Sequence, residues 1–111
     1  MKARNVVLII VLLLGVNQLK AQNETEKFRV LGKCNTCEER IEKAAKSVDG
    51  VQTADWNRKT KVIEIVFDKK KTNLHKIHMA IIKAGYDTDK HKAKSKAYHH
   101  LPGCCKFDRP E

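Results

Sequence analysis

Between residues 26 and 93 the apolar spacing switches back and forth between a strand-like period of two and a helix-like period of 3.6. The order of those switches restricts the fold more than any single motif does. Residues 26–33, EKFRVLGK, alternate, with Phe28 and Val30 on one side and Arg29 and Leu31 on the other. That is the pattern of a strand. From Thr36 to Val48 the period changes: Ile41, Ala44, Ala45 and Val48 fall at i, i+3, i+4 and i+7, one face of a helix. Glu38, Glu39 and Glu42 stand near its start, where the positive end of the helix dipole favours them. Asp49-Gly50 closes it with a turn. Residues 51–57, VQTADWN, read as a second strand, and Arg58-Lys59-Thr60 as a hairpin-length connection. Residues 61–68, KVIEIVFD, form a third strand with Ile63, Ile65 and Phe67 on one face. A second helix is expected from Asn73 to Ala84, with Leu74, Ile77, Ile81 and Ala84 on one stripe and Gly85 as its stop. Tyr86 to Ala93 complete the order as a short, polar edge strand.

Strand, helix, strand, strand, helix, strand is the βαββαβ order of a ferredoxin-like sandwich. The expected fold is therefore α+β: a four-stranded antiparallel sheet with two helices on one face. Its core should hold Phe28, Val30, Ile41, Ala45, Val48, Val51, Ala54, Trp56, Ile63, Ile65, Phe67, Ile77, Ile81 and Ala84. His75, His78 and His91 are expected at the surface or the sheet edge. The Lys69 to Lys71 run reads as a solvated loop.

The N-terminal end has a different character. Residues 6–14 read VVLIIVLLL, preceded by Lys2 and Arg4. A basic start, a short apolar run and a small residue at Ala21 make a secretory signal peptide, with cleavage expected after Ala21. The run is short of the roughly 20 residues of a membrane span. No Cys follows it closely, which argues against a lipid anchor. Three units are thus expected: a signal peptide over 1–21, one domain over 22–93 and a tail over 94–111. The location implied is periplasmic or secreted, and the cleaved chain is not membrane-embedded.

Size and charge exclude several function classes. About 90 residues beyond the signal cannot build a dinucleotide-binding domain or a large multi-domain enzyme. Of the 23 Lys and Arg, the leader removes Lys2, Arg4 and Lys20, leaving 20 against 13 Asp and Glu, a charge of +7. Such a charge could bind nucleic acid. Export, the scatter of the basic residues and the few aromatics all argue against that. A positive surface could instead steer docking to an acidic partner or an anionic membrane face.

Cys34 and Cys37 sit where the first strand hands over to the first helix. A helix N-terminus stabilises negative charge, so a thiol there is more acidic than usual. Two thiolates three positions apart can converge on one ion. Soft sulfur donors favour Cu(I), Zn(II) and similar metals. Two sulfurs suit a near-linear ion such as Cu(I) or Hg(II) and leave a tetrahedral Zn(II) two ligands short. The same arrangement also serves a thiol-disulfide oxidoreductase using Cys34 and Cys37, and four Cys in a small exported chain can be structural disulfides. Against the oxidoreductase, the chain is short for a thioredoxin fold, and its only prolines, Pro102 and Pro110, lie in the tail.

Several separate stretches agree with one known family. They are Gly32-Lys33-Cys34-Asn35-Thr36-Cys37, the helix residue Ile41, the turn Asp49-Gly50-Val51, the strand ending Phe67-Asp68 and the turn Ala84-Gly85-Tyr86. Residues 26–93 resemble the heavy-metal-associated domain of copper chaperones, metal-pumping ATPases and periplasmic mercury-binding proteins. The resemblance implies a soft metal ion, Cu(I) first and Hg(II) or Zn(II) as alternatives, held by Cys34 and Cys37. It implies transfer by ligand exchange to a metal-transporting ATPase or another metal-transfer partner, with Tyr86 close to the metal loop. It implies a carrier rather than an enzyme, monomeric, with a metal-bridged dimer as the alternative. The family loop usually reads Gly-Met-x-Cys-x-x-Cys, and here that Met is missing.

After Ala93 this fold should be finished, yet residues 94–111 read KSKAYHHLPGCCKFDRPE. His99, His100, Cys104 and Cys105 form a second cluster of potential ligands. The last strand is expected to end at the pole opposite the metal loop, about 20 Å away. Ten residues from Lys94 to Gly103 span that distance if extended. Cys104 and Cys105 are therefore candidate metal ligands, joined by Tyr86, His99 and His100 as supporting groups or extra ligands.

Overall fold

The computed structural model describes residues 22–109. The expected signal peptide lies outside the described residues. In chain order the elements are β1 (Asn23–Arg29), α1 (Asn35–Lys46), β2 (Val51–Trp56), β3 (Val62–Asp68), α2 (Leu74–Lys83), α3 (Ser95–His99) and a 3-10 turn at Gly103–Cys105. No helix among them is long and apolar enough to cross a membrane.

The sheet is antiparallel, with β3 between β1 and β2. Its register brings Phe28, Ile63 and Trp56 into one row and Ile65 beside Ala54 in the next. These side chains face the helices because strand residues alternate sides. Helix α1 packs on β2 and α2. Ile41 and Ala45 of α1 and Ile77 and Ile81 of α2 close the core against the sheet. Of the core residues expected from periodicity, Val48, Val51 and Ala84 are only partly buried and the rest are buried. Helix α2 starts where the Asn73 side chain accepts the Lys76 N–H at 2.9 Å, an N-cap. Both helices end before a glycine with positive φ, Gly50 at 100° and Gly85 at 107°.

The expected fourth strand is corrected. Among the described residues the sheet has three strands, and the segment beyond Gly85 contributes one bridge, Val30 with Thr88. The reason is Asp87. Its carboxylate is buried and accepts the Ala93 backbone N–H at 2.7 Å. Thr88 N–H meets the His91 carbonyl at 2.9 Å. The chain therefore pairs with the end of β1 only around Thr88, through Leu31 N–H to the Asp87 carbonyl and Asp89 N–H to the Arg29 carbonyl, and then doubles back at 88–91. The expectation that the tail must return from the far pole is corrected with it, since Ala93 is already beside Asp87.

His78 is a second correction. It was expected at the surface or edge and is 2% exposed, with its ring stacked on Phe28 at 3.9 Å between centroids. It lies four residues after Leu74, on the buried stripe of α2, and its Nδ1 pairs with the Thr88 hydroxyl at 2.8 Å. His75 is exposed and His91 is partly buried.

Candidate metal centre

The loop between β1 and α1 is held from below by large apolar groups. A Cβ at Gly32 would meet Ile41 and the Trp56 ring at 3.0 Å, so glycine lets the loop approach these side chains without displacing them. The Gly32 carbonyl accepts from Lys61 Nζ at 2.7 Å, and Trp56 Nε1 donates to the Val30 carbonyl at 3.1 Å. Trp56 and Ile41 thus underlie the loop in which the family Met is missing.

Cys34 is the N-cap of α1 in extended conformation, and Cys37 lies in the first turn, fully buried. Their sulfurs are 3.6 Å apart. That is contact, not a bond, since a disulfide is about 2.05 Å long. The backbone N–H of Cys37 favours the Cys34 thiolate and draws its pKa down to about 6. The helix end thus supplies the acidic thiol that the spacing anticipates.

The tail comes to the same corner. Tyr98 donates to the Phe107 carbonyl at 2.5 Å and its ring meets Phe107 edge-on at 5.0 Å. Leu101 and Phe107 are buried, and Phe107 stacks with Tyr86 at 6.3 Å. Arg109 forms a two-pronged ion pair with Asp87, at 3.0 and 3.1 Å. So placed, Cys105 is fully buried with its sulfur 4.0 Å from that of Cys34, and Cys104 is exposed with its sulfur 4.0 Å from Cys105. The Cys34, Cys104 and Cys105 sulfurs lie within 4.8 Å of one another. Burial pushes the Cys105 thiol up to about 12, with its neighbour Cys37 acting in the same direction. All four cysteines are free thiols.

Of the residues picked out in the sequence, Cys34, Cys104 and Cys105 converge, and Cys37 touches Cys34. Tyr86 is fully buried beside Cys105, and burial raises its pKa. Its hydroxyl has no partner at hydrogen-bond geometry among the described residues. His99 and His100 are exposed and stand apart from the sulfurs, His99 with its ring against Tyr98. The sequence reading missed the tail's anchors, Asp87, Arg109, Leu101 and Phe107. The signal available was a set of apolar residues, Tyr98, Leu101 and Phe107, in an otherwise polar tail.

A strand, a Cys-x-x-Cys helix start and a buried Tyr86 turn now stand in one corner. Residues 27–87 match the heavy-metal-associated domain family. The chain belongs to that family. A curated relative, the mercuric transport protein periplasmic component of Shewanella putrefaciens, is 40% identical over 53 residues, which cover 48% of this chain. The matched part spans 58% of that relative's length. Among solved structures, the CopZ metallochaperone is similar, with a TM-score of 0.57 and 30% identity over 59% of this chain and 98% of its own. So is the N-terminal domain of a potential copper-translocating P-type ATPase from Bacillus subtilis in the Cu(I)-loaded state. Its TM-score is 0.57, with 27% identity over 60% of this chain and 84% of its own. The family match over residues 27–87 takes in the Cys loop, both main helices, β2 and β3 and the end of β1, and leaves the tail beyond it.

Proposed function

We propose that this chain is an exported carrier of a soft metal ion that grips its cargo at Cys34 and Cys37 and releases it by thiolate exchange. Cu(I) is the first candidate, with Hg(II) and Zn(II) as alternatives. The observation that carries this reading is the pair of sulfurs 3.6 Å apart at a helix start, one of them drawn to a pKa of about 6. A thiolate near neutral pH is both ligand and exchangeable group. The names of its relatives, a mercuric transport component, a metallochaperone and a copper-translocating ATPase domain, support a partner that receives or donates metal. The periplasm is supported by the curated relative's name and by the basic-apolar start of the sequence. Exchange needs no general acid or base, so the protein acts as a carrier and not as a catalyst.

Anaerobic titration of the reduced chain with Cu(I), Hg(II) and Zn(II) tests this. Stoichiometric uptake of at least one ion, lost in the Cys34→Ser/Cys37→Ser double variant, is expected. Undiminished uptake of every ion by that variant refutes the reading. Fast insulin reduction together with negligible metal affinity would point to thiol-disulfide exchange instead.

A further inference from the structure

The carrier reading needs only two sulfurs, and the structure brings more. We propose that the tail completes the site: Cys105, and Cys104 beside it, raise the cargo's sulfur count from two to three or four. Cys105 then stands where an acceptor's thiolate would otherwise enter. This deepens the carrier reading and rests on it.

Sulfur spacing separates the coordination modes. With metal–sulfur bonds of about 2.3 Å, ligand sulfurs lie about 4.6 Å apart on a line, about 4.0 Å in a trigonal plane and about 3.8 Å in a tetrahedron. Cys34 to Cys37 is 3.6 Å, Cys34 to Cys105 is 4.0 Å and Cys105 to Cys104 is 4.0 Å. A two-coordinate ion would force Cys34 and Cys37 apart by about 1 Å, whereas the Cys34, Cys104 and Cys105 sulfurs already lie within 4.8 Å of one another and Cys37 joins them through its contact with Cys34. The ligand class is therefore a soft ion that accepts three or four thiolates.

The tail is built to hold this position. Leu101 and Phe107 are 4% exposed, Cys105 is fully buried, and Arg109 pairs with the buried carboxylate of Asp87. A loosely attached tail would have none of these. The two tail thiols also differ in access. Cys104 is exposed and Cys105 is enclosed, so an ion can meet Cys104 and Cys34 first and then settle against Cys105. Release reverses this order. An acceptor's thiolate forms a metal–sulfur bond as the Cys105 bond breaks, the departing sulfur takes a proton from solvent, and no electrons change hands.

The test is X-ray absorption on the full chain loaded with one Cu(I) under anaerobic conditions, with sedimentation to confirm a monomer. The expected count is about three sulfurs per copper or more. In the Cys104→Ser/Cys105→Ser variant it should fall to two, and Cu(I) affinity should drop at least about tenfold, since even groups that only support a ligand are worth about ten- to hundredfold at metal sites. Circular dichroism checks that the variant folds. If it does not, the count on the unaltered chain decides alone. A count of two in that chain overturns the proposal, and so does an unchanged count and affinity in a folded variant. Failure of the unaltered chain to bind Cu(I), Hg(II) or Zn(II) would overturn the carrier reading itself, which is a different result.

Discussion

Asp87→Asn should release the tail while leaving the domain folded. The Asp87 carboxylate, 3% exposed, accepts Ala93 N–H at 2.7 Å and both prongs of Arg109 at 3.0 and 3.1 Å. Breaking a buried ion pair by altering one partner costs about 3–5 kcal/mol. Asn keeps one carbonyl oxygen for Ala93, and Arg109 can turn toward water, so the loss in tail docking comes to about 2–3 kcal/mol. Each 1.4 kcal/mol is about tenfold in an equilibrium, which makes the opened tail about 30- to 150-fold more populated. Cys105 reports this directly, because it is fully buried when the tail is docked. Timed alkylation of the reduced protein, read by peptide mass spectrometry, should show Cys105 reacting faster by that factor. Cys104, already exposed, serves as the internal control. The thermal midpoint should move less than global loss of 2–3 kcal/mol would require, because an opened tail ends the penalty. A Cys105 rate within twofold of the unaltered protein would show that Asp87 does not hold the tail.

Three further outcomes follow from other sites. Burial lowers the His78 pKa from its usual 6.5, the imidazoles of His91 and His75 and the Lys90 ammonium add to this, and Asp89 opposes it. Below pH 6.5 the unfolded chain therefore binds a proton that the folded chain refuses, and stability present above that pH is lost as pH falls. Melting temperatures taken from pH 7.5 to 5 should fall, and His78→Gln should flatten the part of that fall below pH 6.5; an unchanged slope refutes the assignment. Ile63→Ala, at a fully buried position in the central strand, should cost about 2–5 kcal/mol in urea denaturation, and a cost below about 1 kcal/mol would mean the core row is misplaced. Tyr86→Phe removes a buried hydroxyl that has no partner at hydrogen-bond geometry among the described residues, so it should change stability by less than about 1 kcal/mol, and a large loss would reveal a partner.

The elements from β1 to α2 were legible because each is declared by local spacing. Phe28 and Val30 alternate, Ile41 and Ala45 repeat at helical intervals, and Gly50 and Gly85 mark the ends. Cys34 and Cys37 were legible as a site for the same reason: three residues and one helix start define them. His78 was misread although its place four residues after Leu74 puts it on the buried stripe, because a polar residue type outweighed its position. The fourth strand was misread for a different cause. The apolar and polar spacing of residues 86–93 does not announce the turn that the Thr88 hydroxyl makes by accepting the Lys90 and His91 N–H groups. Nor does it announce the carboxylate at Asp87 that engages Ala93 and Arg109, the latter 22 residues away.

That long-range contact links the two halves of what the sequence left open. The same Asp87 side chain turns the chain back at 88–91 and clamps Arg109 at the far end of the tail. Had the strand continued along β1, residues 94–109 would have begun at the far pole, and about half of the extended reach from Lys94 to Cys105 would have gone into the return to Cys34. Turned back early, the chain has slack to fold α3 and the 3-10 turn, bury Leu101 and Phe107 against Tyr86, and set Cys105 4.0 Å from Cys34. The lost strand and the gained sulfur are thus one structural event. This is why Cys104 and Cys105 stand near Cys34, as the reach calculation allowed, although the path they take starts from the other end of the molecule.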